Sequence, residues 1–213
     1  MNPNYDLVLA SDDETQAGLF TTTAQRLGTT PQNVEKDFWV CWTLRRLMGV
    51  PELAGVLTFK GGTSLSKAFG IIKRFSEDID LTINRAAPLL DEVASPMASE
   101  ISGKERERRG KALSAAAQEW VAASLLPTLE QAIGEALGTR EGWSIEPDPD
   151  DGDRQTVLFN YPASSGYGLD YGNNYGGRTG YVQPRIKLEF GARGDPEPVE
   201  RRDILPYVAE DFP

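Results

Sequence analysis

Phe59-Lys60-Gly61-Gly62-Thr63-Ser64-Leu65 and, shortly after it, Arg74-Phe75-Ser76-Glu77-Asp78-Ile79-Asp80-Leu81 hold the residues whose types and spacing suit one kind of chemistry. Two glycines after a strand let the backbone turn tightly and approach a ligand closely. The helix that follows would offer unpaired N–H groups and the positive end of its dipole, a seat for phosphate oxygens. The hydroxyl of Ser64 or Thr63 would add a hydrogen bond there. Asp78 and Asp80 stand at i and i+2 at the start of a strand, so both carboxylates share one face while Ile79 and Leu81 point into the core. Carboxylates held that close repel, and a hard divalent cation relieves the repulsion. Magnesium keeps coordination positions open for substrate phosphates, and two such ions would polarise an attacking hydroxyl and a leaving pyrophosphate. A lone Asp-x-Asp is commonly a solvated edge and a lone Gly-Gly commonly a turn. Strand, turn, helix and strand carrying all of them favour a phosphate-and-metal site.

This chemistry asks for a third carboxylate. Ile186-Lys187-Leu188-Glu189-Phe190 alternates, with Lys187 and Glu189 on one face. If that strand lies beside the one bearing Asp78 and Asp80, Glu189 joins the metal ligands and Lys187 steadies phosphate charge. Otherwise the pair is the ordinary polar face of a half-exposed strand. The spacing alone leaves both readings open.

The elements that must position these groups are legible in outline. Ser11 to Leu27 reads as a helix, capped by Ser11 and stopped at Gly28. A second begins at Thr30-Pro31, with Val34, Phe38, Cys41, Leu44 and Met48 forming one apolar face. Gly55 to Phe59 predicts a strand, Ser64 to Phe69 a short helix and Ile79 to Ile83 a second strand. Ala86 to Ile101 and Glu105 to Leu137 predict helices. The basic run Arg106-Arg108-Arg109-Lys111 reads as a solvated helix face in preference to an RNA-binding patch. Glu146 to Asp153 predicts an acidic loop, and Val157 to Tyr161 and Tyr181 to Phe190 predict strands. Between the last two, Ser164 to Gly180 reads as a long Gly/Tyr/Asn-rich connection. The order points to an α+β domain with a small mixed sheet.

Composition narrows the function. With 213 residues and 39% hydrophobic content the chain can bury one sizeable core. It contains no histidine, which excludes Ser-His-Asp chemistry, His-paired cysteine nucleophiles and His-containing zinc sites. The chemistry must run on carboxylates, lysines, arginines and hydroxyls. A net charge of -10 is the opposite of a general nucleic-acid binder, so DNA is not an expected partner. No apolar run reaches membrane-spanning length, the amino terminus lacks a signal-peptide pattern, and Cys41 is the single cysteine. A cytoplasmic location is expected.

Lys60-Gly61-Gly62-Thr63-Ser64-Leu65 together with Arg74-Phe75-Ser76-Glu77-Asp78-Ile79-Asp80-Leu81 closely resembles the AbiEii/AbiGii toxin family. That family belongs to the DNA polymerase β-like nucleotidyltransferase superfamily, to which the MenT toxins are also related. Glu35-Lys36-Asp37-Phe38-Trp39-Val40 looks like the helix motif that precedes this core. Phe159-Asn160-Tyr161-Pro162 and Ile186 to Gly191 look like its later strands, so the resemblance spans roughly Thr30 to Arg193. It implies one nucleotidyltransferase domain over 1–213, with a helical part to about residue 50 and a catalytic core from about 51 to 193. It implies transfer of a nucleoside monophosphate from an NTP, with a tRNA 3′ end as acceptor, by the toxin of a toxin–antitoxin or phage-defence system with a cognate antitoxin. Carried over by position, Asp78 and Asp80 would hold magnesium, Glu189 would be the third carboxylate, and Lys187 would serve catalysis. Lys60, Gly61, Gly62, Thr63, Ser64 and Arg74 would hold the triphosphate. Family members continue into a C-terminal helical region with a functional lysine and aspartate, which the sequence, ending at Pro213, is expected to lack. A catalytically silent nucleotide-binding or protein-interaction module of the same fold, or an enzyme that transfers the nucleotide to protein, are the alternatives.

Overall fold

The computed structural model describes residues 5–71, 78–164, 183–194 and 199–211. Two short helices open the chain, α1 (Tyr5–Ala10) and α2 (Asp13–Leu27). The cap of α2 is Asp12, whose side chain accepts from the Thr15 N–H at 2.7 Å, and not Ser11 as expected. Ser11 instead closes α1 by donating its hydroxyl to the Val8 carbonyl at 2.7 Å. Gly28 ends α2 in the left-handed region, as the sequence predicts.

Thr30 caps α3 (Pro31–Gly49), with Pro31 in its first turn. The single apolar face expected of this helix is too narrow a description. Every residue from Val34 to Leu44 is buried, Glu35, Lys36 and Asp37 included, because α3 runs through the centre of the domain between α2, a later helix and the sheet. Cys41 lies in that core, where burial pushes its thiol well above the usual range, so it is a packing residue.

The sheet has five strands: β1 (Leu57–Lys60), β2 (Asp78–Ile83), β3 (Ser144–Pro147), β4 (Thr156–Asn160) and β5 (Arg185–Gly191). Their order is β1-β2-β5-β4-β3, with β2 and β5 parallel and every other pair antiparallel. Alternation sorts the residues into two faces. Ile79, Leu81, Ile83, Val157, Phe159, Ile186, Leu188 and Phe190 are buried against α3. There Trp42 stacks on Phe159 at 6.0 Å and Trp39 on Tyr161 at 5.3 Å, while Trp39 meets Trp42 edge-on at 5.3 Å. This aromatic layer holds the sheet in place. Trp39→Ala is expected to cost about 3–5 kcal/mol, read as a lowered midpoint in a urea melt.

Three sequence expectations change. Residues 84–102 form turns and not a helix: Pro88 and Pro96 interrupt the run, and Leu89 and Glu100 take positive φ angles of 69° and 63°. The long helix divides into α6 (Gly103–Trp120) and α7 (Leu126–Leu137), joined by a π-helical turn over Val121–Leu125. Pro127, which has no N–H to donate, follows directly. The acidic stretch begins inside β3 and not as loop, because Ile145 and Pro147 pair with Phe159 and Val157. A four-residue helix α4 (Pro51–Ala54) and a 3₁₀ turn at Tyr207–Glu210 complete the set, with α5 (Gly61–Lys67) between β1 and β2. No helix among the described residues is long and apolar enough to cross a membrane.

Candidate active site

The face of the sheet turned away from α3 carries the polar residues. In the parallel pairing of β2 with β5, Asp78 lies opposite Lys187 and Asp80 opposite Glu189. On the other side of β2, Lys60 lies opposite Asp80. The condition left open by the sequence is therefore met: the strand with Glu189 is the direct neighbour of the strand with the two aspartates. Three carboxylates and two lysines share one patch of sheet.

Gly61 shapes its floor. The residue has φ +74°, and a Cβ on it would lie 1.8 Å from Oδ2 of Asp80. The Asp80 carboxylate thus rests where a side chain on residue 61 would be, so the first glycine of the pair seats an aspartate. Thr63 is buried, and its hydroxyl donates to the main-chain carbonyl of Asp78. Its proton braces α5 on β2, which leaves Ser64, also buried, as the hydroxyl without that duty. Arg74 falls outside the described residues, as does the Gly/Tyr/Asn-rich connection after Ser164.

Charge at the site is unevenly balanced. Burial raises the Asp80 carboxyl above the ordinary range, the nearby Glu189 carboxylate raises it further, and Lys60 pulls it back in part. Glu189 is turned toward Lys187, with Nζ 3.0 Å from Oε1. That hydrogen bond is the main reason why the Lys187 ammonium is held above its usual range, burial opposing it. Lys187 also lies 3.8 Å from Asp148, a residue that sequence reasoning did not place at the site. Its signal was the acidic run Asp148 to Asp153, which lines a cavity of about 340 Å³ with Thr156, Lys187 and Glu189.

The donor set suits magnesium, being hard carboxylate oxygens with one carboxyl strained by a like charge. Among the described residues, however, no three acidic or thiol side chains are already gathered as a metal cage. With Glu189 leaning on Lys187, a cation and that ammonium would compete for the same oxygens.

Three members of the basic run on α6 are paired along their own helix, Arg108 and Arg109 with Glu105 at 2.7 Å and Lys111 with Glu107 at 2.7 Å, while Arg106 donates to the Pro96 carbonyl at 3.1 Å. The run is a solvated helix face, as read from the sequence. Sequence reasoning also passed over a buried ion pair behind the site, Asp37 of α3 with Lys67 of α5. Its signal was Glu35-Lys36-Asp37, three charges inside an otherwise apolar helix.

A family model described as nucleotidyl transferase AbiEii toxin, type IV toxin–antitoxin system, matches residues 42–213. The match begins within α3, after the Glu35–Val40 stretch, and includes Lys60 to Ser64, both aspartates, Lys187 and Glu189. No curated protein and no solved structure matches the chain. With most of its length matched, including each carboxylate of the polar patch, the chain belongs to the AbiEii family of nucleotidyl transferase toxins.

Proposed function

We propose that this chain is a magnesium-dependent nucleotidyltransferase that moves a nucleoside monophosphate from an NTP to an acceptor, the 3′ end of tRNA being favoured by the family resemblance. The observation that carries the reading is the register of β2 with β5, in which Asp80 faces Glu189 beside Asp78 and next to the Gly61-Gly62 turn. Asp78, Asp80 and Glu189 are the residues that would hold the cation. When bound, magnesium supplies charge neutralisation and polarises the reacting phosphate.

The rest falls to the chain's own groups. Gly62 and Ser64 would seat the triphosphate, with Lys60 and Arg74 balancing its charge. Lys187, on leaving Glu189, would pair with phosphate oxygens. The acceptor hydroxyl oxygen attacks the α-phosphorus, and the bond from that phosphorus to the bridging oxygen breaks. Pyrophosphate departs with the electron pair, and the hydroxyl proton passes to one of the three carboxylates. Catalysis here is positioning plus charge stabilisation. As the toxin of its pair, the protein would act in the cytoplasm in phage defence, held in check by its antitoxin.

Calorimetric titration with each NTP, with and without magnesium, tests the site. Binding is expected only with the metal, and only in the wild type and not in Asp78→Ala/Asp80→Ala. Equal binding by that variant would remove the metal assignment.

One observation favours a protein acceptor as the second reading. The aspartates lining the cavity beside Lys187, and the paired charges of α6, offer an RNA backbone little net attraction. The nucleotide label in protein and RNA fractions after reaction with radioactive NTP separates the two acceptors.

A further inference from the structure

Behind the polar patch, α5 is fastened at both ends. At its start, Gly61 receives the Asp80 carboxylate and Thr63 holds the Asp78 carbonyl. At its end, the Lys67 side chain is only 9% exposed and forms an ion pair with Asp37 of α3, itself 2% exposed. The same ammonium donates to the Leu205 carbonyl at 3.3 Å and lies 3.7 Å from the centre of the Tyr207 ring. Asp37 completes the loop by accepting the Tyr207 N–H at 2.7 Å. Burial works to lower the Lys67 ammonium, and the Asp37 carboxylate more than offsets it, leaving the lysine charged and above its usual range.

An amino group on a long stem is an unusual choice for a core position. It is explained by what it joins. One cation collects a carboxylate from the central helix, a carbonyl and an aromatic face from the 205–207 segment, and the last residue of the helix that seats the aspartates. The same segment is tied independently to α2, where Arg26 bonds Asp211 at 2.7 Å and the Tyr207 carbonyl at 3.1 Å, and Thr23 bonds Asp211 at 2.6 Å.

We infer that Lys67 is a positioning residue that, with Asp37 and Tyr207, sets α5 and hence the Asp78/Asp80 pair, coupling the 205–211 segment to the catalytic face. The inference rests on the reading of those aspartates as the metal-holding pair. Two turns of helix separate Lys67 from Gly61, a span short enough to move as a rigid unit. Loosening the clamp therefore shifts the aspartate seat while the aromatic core behind it stays packed.

The test uses the full chain and the double substitution Asp37→Asn/Lys67→Met, which leaves no buried charge unpaired, alongside Lys67→Met alone. Amide hydrogen exchange is read in peptides covering 61–67 and 78–83, with α7 as internal reference, and magnesium-dependent NTP affinity is titrated in parallel. Exchange in 61–67 is expected to rise at least tenfold with α7 unchanged, and NTP affinity to fall at least tenfold. Wild-type exchange in 61–67 in the double variant would overturn the inference. So would a uniform rise that includes α7, which would mark the pair as a global brace. Absence of NTP binding by the wild type would count against the proposed function instead, and the exchange readout would still decide the coupling.

Discussion

A Gly61→Ala variant is expected to lose magnesium-dependent nucleotide binding and to melt several degrees below the wild type. The left-handed backbone at residue 61, φ +74°, costs a side-chain-bearing residue about 1–3 kcal/mol. The new methyl would also meet Oδ2 of Asp80 at 1.8 Å, so the carboxylate or the turn must move. Gly28→Ala is the matched control. It has a similar φ of +65°, but no atom lies within 4 Å of the added carbon, and it caps α2 far from the patch. Calorimetric titration and a thermal melt on both variants separate the two effects. Both should lose stability, and only Gly61→Ala should lose binding. Retained binding in Gly61→Ala would mean that the Asp80 carboxylate is not needed where it rests.

Asp80→Asn is expected to weaken magnesium-dependent NTP binding by at least about a hundredfold while leaving the melting temperature unchanged or higher. The native carboxyl is raised by burial and by Glu189, so its ionised form is disfavoured in the fold. Its protonated form contributes stability that is present below the unfolded value and lost as pH rises through the folded one. An amide keeps the shape and removes that slope. Binding runs the other way, since a protonated Asp80 cannot hold a cation. In the wild type, affinity should therefore decline on acidification at a higher pH than an ordinary aspartate would set. Glu189→Gln removes the like charge and should move that midpoint to lower pH, although it also removes the carboxylate proposed to share the cation and should lower the plateau. Titrations across the acid range read both parameters; a midpoint unmoved by Glu189→Gln would contradict the coupling of the two carboxylates.

The polar patch was legible where a short-range rule governs it. The alternation in Asp78 to Ile83 and Ile186 to Phe190 assigned each side chain to its face, and those faces stand as read. Which strand lies beside which depends on contacts far apart in sequence, and periodicity contains no information about them. The role of Gly61 escaped for the same reason: a glycine before a helix reads as conformational freedom, whereas here the neighbouring strand's carboxylate fills the space. Thr30-Pro31 announced α3 because capping is local, yet its burial on all sides follows from the helices and sheet around it. Residues 86–101 depart from the helix expected of them because Pro88 and Pro96 interrupt the run and the backbone turns at Leu89 and Glu100. The Asp37–Lys67 pair was half legible: a charge within the apolar run of α3 asks for a partner, but the run does not say which element supplies it.

The strand order has a consequence for how the protein is made. β1 pairs with β2 and β3 with β4, so two antiparallel ribbons can form while the chain is still being synthesised. The last strand among the described residues, β5, enters between them and hydrogen-bonds to both. Until it emerges from the ribosome, β2 and β4 are open edges, and Asp78 and Asp80 lack both Glu189 and Lys187. A long-range parallel pairing of this kind is slow to form. An unfinished chain therefore carries the aspartates without the carboxylate and the lysine that lie opposite them, and the polar patch of the sheet is assembled only when translation has passed β5.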